Sequence, residues 1–147
     1  MDRVIGYTTG VFDMFHVGHL HLLKKASNHC DHLIVGVSTD KLVEDYKGRR
    51  PIIPFAHRFE IINSLKCVDQ VVVQAARDKI EQYHEIGFNK MFVGSDWKGS
   101  DLFVSVEREL KKFGVAVHYF EYTKNVSSTK FTEILEGLSR DGEAFQC

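Results

Sequence analysis

Val4-Ile5-Gly6-Tyr7-Thr8-Thr9-Gly10, running into Val11-Phe12-Asp13-Met14-Phe15-His16-Val17-Gly18-His19, is the stretch on which the fold turns. Val4 to Thr9 is short, β-branched and aromatic, and reads as a buried strand. Residues 10–18 read as a loop. From His19 to Asn28 the positions Leu20, Leu23 and Ala26 recur at helical spacing. A buried strand, a glycine-bounded loop and an amphipathic helix make the opening of a βα unit.

The same alternation continues outward. Residues 33–37, 71–73, 91–93 and 115–120 read as further buried strands. Helical spacing marks residues 39–46, the run Phe55, Phe59, Ile62 and Leu65 behind Pro54, residues 79–86 ahead of Gly87, the run Leu102, Val106 and Leu110, and the run Phe131, Ile134, Leu135 and Leu138. Five strands separated by helices predict one parallel sheet covered on both faces. In such a sheet, ligands bind beyond the carboxyl ends of the strands, where strand order reverses. The loops expected to matter follow strands one, two, four and five. A single α/β domain over residues 1–138 is expected, with 139–147 as a patternless tail.

Composition narrows the function. The 147 residues carry a net charge of −1 and are 44% apolar. No concentrated basic face suggests nucleic acid, and no apolar run approaches a membrane span of about 20 residues. Three cysteines without a C-x-x-C pair suit a reducing compartment, so a cytoplasmic location is expected.

The chemistry concentrates in the first loop. His16 and His19 stand at a helix start, where unpaired N–H groups and a partial positive charge favour phosphate. Two imidazoles there can donate to phosphate oxygens, and Gly18 lets a ligand approach the backbone. A zinc site among His21, His29, Cys30 and His32 fits no usual ligand spacing. Near the end, Ser127, Ser128 and Thr129 line a second helix start. One hydroxyl suffices for capping, and three in a row suit an anion cradle.

Phe12-Asp13-x-Phe15-His16-x-Gly18-His19 resembles the HxGH signature of the cytidylyltransferase-like nucleotidyltransferases, and within them the glycerol-3-phosphate branch. Two more segments extend the resemblance. Gly94-Ser95-Asp96-Trp97-Lys98-Gly99 is similar to G-D-D-W-x-G, and residues 122–129 are similar to R-T-x-G-I-S-T-T, with Tyr122 and Asn125 in place of Arg and Gly. The resemblance implies a Rossmann-like fold, a homodimer, and CMP transfer from CTP with Mg²⁺ to a small phosphorylated alcohol for a cell-envelope polymer precursor. It implies catalytic roles for His16, His19 and Lys47. It assigns nucleotide contacts to Thr9, Gly10, Phe12, Asp13, Gly18, Asp96, Thr123, Ser127, Ser128 and Thr129, and acceptor or phosphate contacts to Arg58, Lys66 and Trp97. Arg49 and Arg50 read as solvated charges. Relatives that use ATP, and a non-catalytic nucleotide sensor, are the alternatives.

Overall fold

The computed structural model describes residues 3–121 and 128–140. The elements are β1 (Ile5–Gly10), α1 (Val17–Asn28), β2 (His32–Ser38), α2 (Asp40–Lys47), α3 (Phe55–Asn63), β3 (Gln70–Gln74), α4 (Lys79–Ile86), β4 (Lys90–Gly94), a 3₁₀ turn (Ser95–Trp97), α5 (Asp101–Lys111), β5 (Ala116–Phe120) and α6 (Ser128–Arg140). All five strands are parallel, in the order β3-β2-β1-β4-β5. This is the expected single Rossmann-like sheet. The chain leaves β1 towards β2 and β3, then returns to the other side of β1 as β4 and β5. The reversal therefore falls between β1 and β4.

Alternation along β2 explains the two-faced core. Leu33, Val35 and Val37 pack with Leu23 and Ala26 of α1 and Ile62 of α3. Ile34 points the other way, to Tyr7, Met91 and the α5 residues Phe103, Val106 and Leu110, with Ile80 and Tyr83 of α4 beside them. Side chains of period two, sandwiched between two helical layers, leave β2 no solvated face. Each fully buried Leu or Val contributes roughly 1.5–3 kcal/mol of transfer free energy. At Gly87, φ of 75° ends α4 in the left-handed conformation that glycine adopts without steric cost.

The central ladders differ in length. Between β1 and β2 the register runs from Ile5↔His32 to Gly10↔Val37. Between β1 and β4 it comprises Gly6↔Lys90 and Tyr7↔Met91. Beyond that point the Thr8 hydroxyl donates to the Phe92 carbonyl at 2.9 Å, a side chain standing in for a ladder rung.

Candidate active site

A cleft of about 660 Å³ opens over the carboxyl ends of the strands, at the reversal point. The β1–α1 loop forms its centre, and that loop is held tightly. Phe12 and Met14 adopt left-handed φ values of 55° and 46°. Non-glycine residues pay about 1 kcal/mol or more for this. Burial of the Phe12 ring compensates. It lies over Gly10, where an added Cβ would come within 2.9 Å of the ring. The Asp13 carboxylate accepts the backbone N–H groups of Ile52 and Ile53, both at 2.8 Å, and so fastens the loop to the segment before α3.

His16 is the N-cap of α1. Its Nδ1 accepts the Gly18 N–H at 3.0 Å, while its own N–H donates to Nδ1 of His19 at 3.3 Å. This is a capping box built from two imidazoles, and it satisfies otherwise orphaned amides reciprocally. Because both Nδ1 atoms accept, a neutral ring must carry its proton on Nε2. The rings stack at 3.8 Å between centroids, 20° from parallel. Burial, then the neighbouring His16, pushes His19 down to about 4, against a weaker opposing pull from Asp13. Burial also lowers His16. Both rings line the cleft as neutral Nε2–H donors at pH 7. The His16 Nε2 is buried with no hydrogen-bond partner among the described residues. Leaving such a group unpaired costs roughly 1–3 kcal/mol, which a ligand acceptor would recover.

The helix α6 closes one side. Its Phe131 meets the His16 ring edge-on at 5.7 Å, and Thr129, Thr132 and Glu136 line the cleft. Glu136 pairs with Arg49, tying α6 to the α2–α3 connection. On the other side stand cations. Lys47 ends α2, and burial, with Arg49 nearby, lowers its pKa. Arg77 lies 4.5 Å over the Tyr46 ring. The Lys79 ammonium donates to Thr9 Oγ1 at 3.0 Å, and burial pushes it down to about 8.

A model of cytidylyltransferase-like proteins matches residues 7–134. The chain belongs to the cytidylyltransferase-like family. FAD synthase from Thermococcus sibiricus is 53% identical over 66 residues, so the match spans 45% of this chain and 45% of that protein. The lipopolysaccharide core biosynthesis protein from Thermoplasma volcanium superposes with a TM-score of 0.70 at 27% identity, covering 85% of this chain and 100% of that one. Pantoate-beta-alanine ligase from Francisella tularensis shares the fold, with a TM-score of 0.60 at 16% identity over 92% of this chain and 70% of that one.

In this cytidylyltransferase-like protein the cleft gathers Thr9, Gly10, Phe12, Asp13, His16, Gly18 and His19 with Lys47, Asp96, Trp97 and Thr129. Trp97, on the 3₁₀ turn, packs against Phe103 at 5.6 Å and keeps 38% of its surface exposed. Thr123, Ser127 and the side chain of Ser128 lie outside the described residues, as do Tyr122 and Asn125.

Two assignments change. Arg58 does not line the cleft. It is 1% exposed, and donates to the carbonyls of Ile53, Val11 and Ser38 and to Asp40 Oδ1 at 2.7–2.8 Å. With four of its five N–H donors spent inside the protein and its side chain enclosed, this guanidinium is not placed to hold a phosphate in the cleft. Lys66 is exposed in the turn that enters β3, at the amino end of the sheet and so opposite the cleft. Arg49 and Arg50 are exposed, as read from the sequence, and stand at the mouth of the cleft in surface ion pairs with Glu136 and Glu44. Arg77 and Lys79 were not expected. The loop after β3 was the one strand exit left out, although its position at a carboxyl end was a signal for it.

Proposed function

We propose that this protein transfers a nucleoside monophosphate from a nucleoside triphosphate to the phosphate of a small phosphorylated alcohol. An acceptor phosphate oxygen attacks the α-phosphorus, the bond from that phosphorus to the bridging oxygen breaks, and pyrophosphate leaves with the electron pair. The attacking oxygen is already anionic near pH 7, so no strong general base is needed. Positioning and charge neutralisation do the work. The observation that carries this reading is the pair of Nε2–H imidazoles, one with a buried unpartnered donor, facing a cleft closed by the first turn of α6. His16 and His19 donate to the α- and bridging phosphate oxygens as charge moves onto pyrophosphate. Lys47 adds positive charge.

Among the described residues, no three His, Cys, Asp or Glu side chains form a metal-holding group. Mg²⁺ would accompany the nucleotide and lower the repulsion between its phosphates and the acceptor. CMP transfer to glycerol 3-phosphate is supported by the Gly94–Gly99 segment, whose Asp96 and Trp97 line the cleft. AMP transfer from ATP is the second reading. It is favoured by the 53% identity with FAD synthase, since FAD is a flavin phosphate joined to AMP.

The test is pyrophosphate release with CTP or ATP against glycerol 3-phosphate, flavin phosphate and other monoesters. One nucleotide with one acceptor class should turn over with Mg²⁺ present. Nucleotide binding without pyrophosphate from any pair would make the protein a sensor instead.

A further inference from the structure

We propose that Gln74 and Ser38, side by side on the cleft floor, read an uncharged hydroxyl of the acceptor and so decide which phosphorylated alcohol is used. This rests on the transfer reaction above and deepens it, because it asks the acceptor for a hydroxyl beyond its phosphate.

Register sets the pair. Strands β2 and β3 run parallel, and Ser38 opposite Gln74 is the last rung of their ladder. Period two along each strand puts Ser38 on the side of Ile34, and Gln74 on that of Val72, the face covered by α4 and α5. Both residues line the cleft, yet Ser38 is only 3% and Gln74 only 6% exposed. The Ser38 hydroxyl donates to Gln74 Oε1 at 3.1 Å. Among the described residues, the Gln74 Nε2 donates to nothing and the Ser38 hydroxyl oxygen accepts from nothing.

A second glutamine over the same face shows the opposite arrangement. Gln82 of α4 is 8% exposed. Its Oε1 accepts the Tyr7 hydroxyl at 3.0 Å, and its Nε2 donates to the Ala76 carbonyl at 2.7 Å. Both ends of that amide are met inside the protein. Gln74 is enclosed as deeply, and one end is met. An enclosed amide left half paired costs stability, which a ligand completing it recovers.

The chemistry of the pair defines that ligand group. Gln74 offers an N–H and Ser38 a hydroxyl oxygen, and neither carries charge. Turning the amide over exchanges the two roles and still leaves one donor and one acceptor. A hydroxyl matches both at once, because it donates and accepts through one oxygen. A phosphate dianion accepts only, and a methylene leaves both partners stranded. Place assigns the hydroxyl to the acceptor. Phe131 of α6, which meets His16, follows β5 at one edge of the sheet, whereas Ser38 and Gln74 end β2 and β3 towards the other edge.

Pyrophosphate release by the full-length protein is measured with glycerol 3-phosphate against propyl phosphate, and with flavin phosphate against its analogue whose chain lacks hydroxyls. In the wild type, the acceptor that is used should exceed its deoxygenated counterpart in kcat/KM at least about tenfold, and Gln74→Met and Ser38→Ala should each bring that ratio within about threefold. A loosened fold slows both members of a pair alike and leaves the ratio standing. No preference in the wild type, or a ratio unchanged in the variants, would overturn the proposal. So would a ratio that moves only between the nucleoside triphosphate and its 2′,3′-dideoxy form, which gives the pair to the ribose. Gln74→Glu keeps an oxygen for Ser38 and serves if Gln74→Met does not fold. If the wild type turns over no acceptor, the transfer reading fails on its own, and the NMR signals of the Gln74 side-chain amide decide. A shift with glycerol 3-phosphate or flavin phosphate that the deoxygenated counterpart does not cause supports the pair, and the absence of any such difference overturns it.

Discussion

Arg58 and Lys79 are both cations drawn out of water beside the same cleft, and they are treated in opposite ways. Around Arg58 the chain supplies three carbonyls and a carboxylate, from the β1–α1 loop, the end of β2, the start of α2 and the segment before α3. Around Lys79, among the described residues, it supplies one hydroxyl, with the Asp78 carboxylate as a weaker opposing charge. A cation whose charge and most of whose donors are met by the protein ties segments together. One left short of acceptors keeps its charge for something else. Burial alone does not distinguish the two roles, but the partners do.

The comparison can be broken most severely at Arg58. Arg58→Met takes the donors from three carbonyls and from Asp40 Oδ1, leaving that carboxylate only the Phe55 N–H, and should lower unfolding free energy by about 3 kcal/mol in urea titrations. A loss below about 1 kcal/mol would mean the guanidinium is not the tie it looks to be. The imidazoles give an intermediate case, since their Nδ1 atoms serve the fold while the reaction proposed above gives their Nε2 donors to the ligand. His19→Ala should cut kcat by about 10²–10³-fold, as loss of an oxyanion donor does, while circular dichroism shows the helices kept. Near-native turnover would remove the assigned role.

Lys79 sharpens the contrast through pH. Its pKa falls from the ordinary 10.5 to about 8 on folding, so between those values the unfolded chain holds more protons and stability rises with pH. Below pH 8 the charged group opposes folding. Lys79→Met should therefore be more stable than wild type at pH 7, by roughly 1–2 kcal/mol after screening, with the gap closing towards pH 10.5. A variant less stable than wild type at pH 7 would place Lys79 with Arg58 as a structural cation. The smallest effect is expected at Asp13→Asn, which retains one oxygen for two amides. It should cost about 1 kcal/mol in stability and raise the nucleotide Kd only a few-fold.

Much of this was legible in the residues. The buried run Leu33 to Val37 and the repeated order of strand and helix announced a parallel sheet covered on both faces, and His16 and His19 announced the centre of the cleft. Arg58 was misread because its acceptors, on Val11, Ser38, Asp40 and Ile53, come from segments that only the fold brings together. A basic residue near a helix start looks the same in sequence whether it meets solvent, ligand or backbone. Lys66 was misread because its turn sits at the other end of the sheet. Lys79 was missed because the crossover after β3 carries α4 back over β1, where Ile80 and Tyr83 pack with Tyr7, and that return is visible only in the fold.

The short ladder between β1 and β4 has a consequence of its own. Rungs end at Tyr7 and Met91 while β1 stays zipped to β2 as far as Gly10. Past those rungs the seam between the two strands depends on a side chain, the Thr8 hydroxyl on the Phe92 carbonyl, rather than on the main chain.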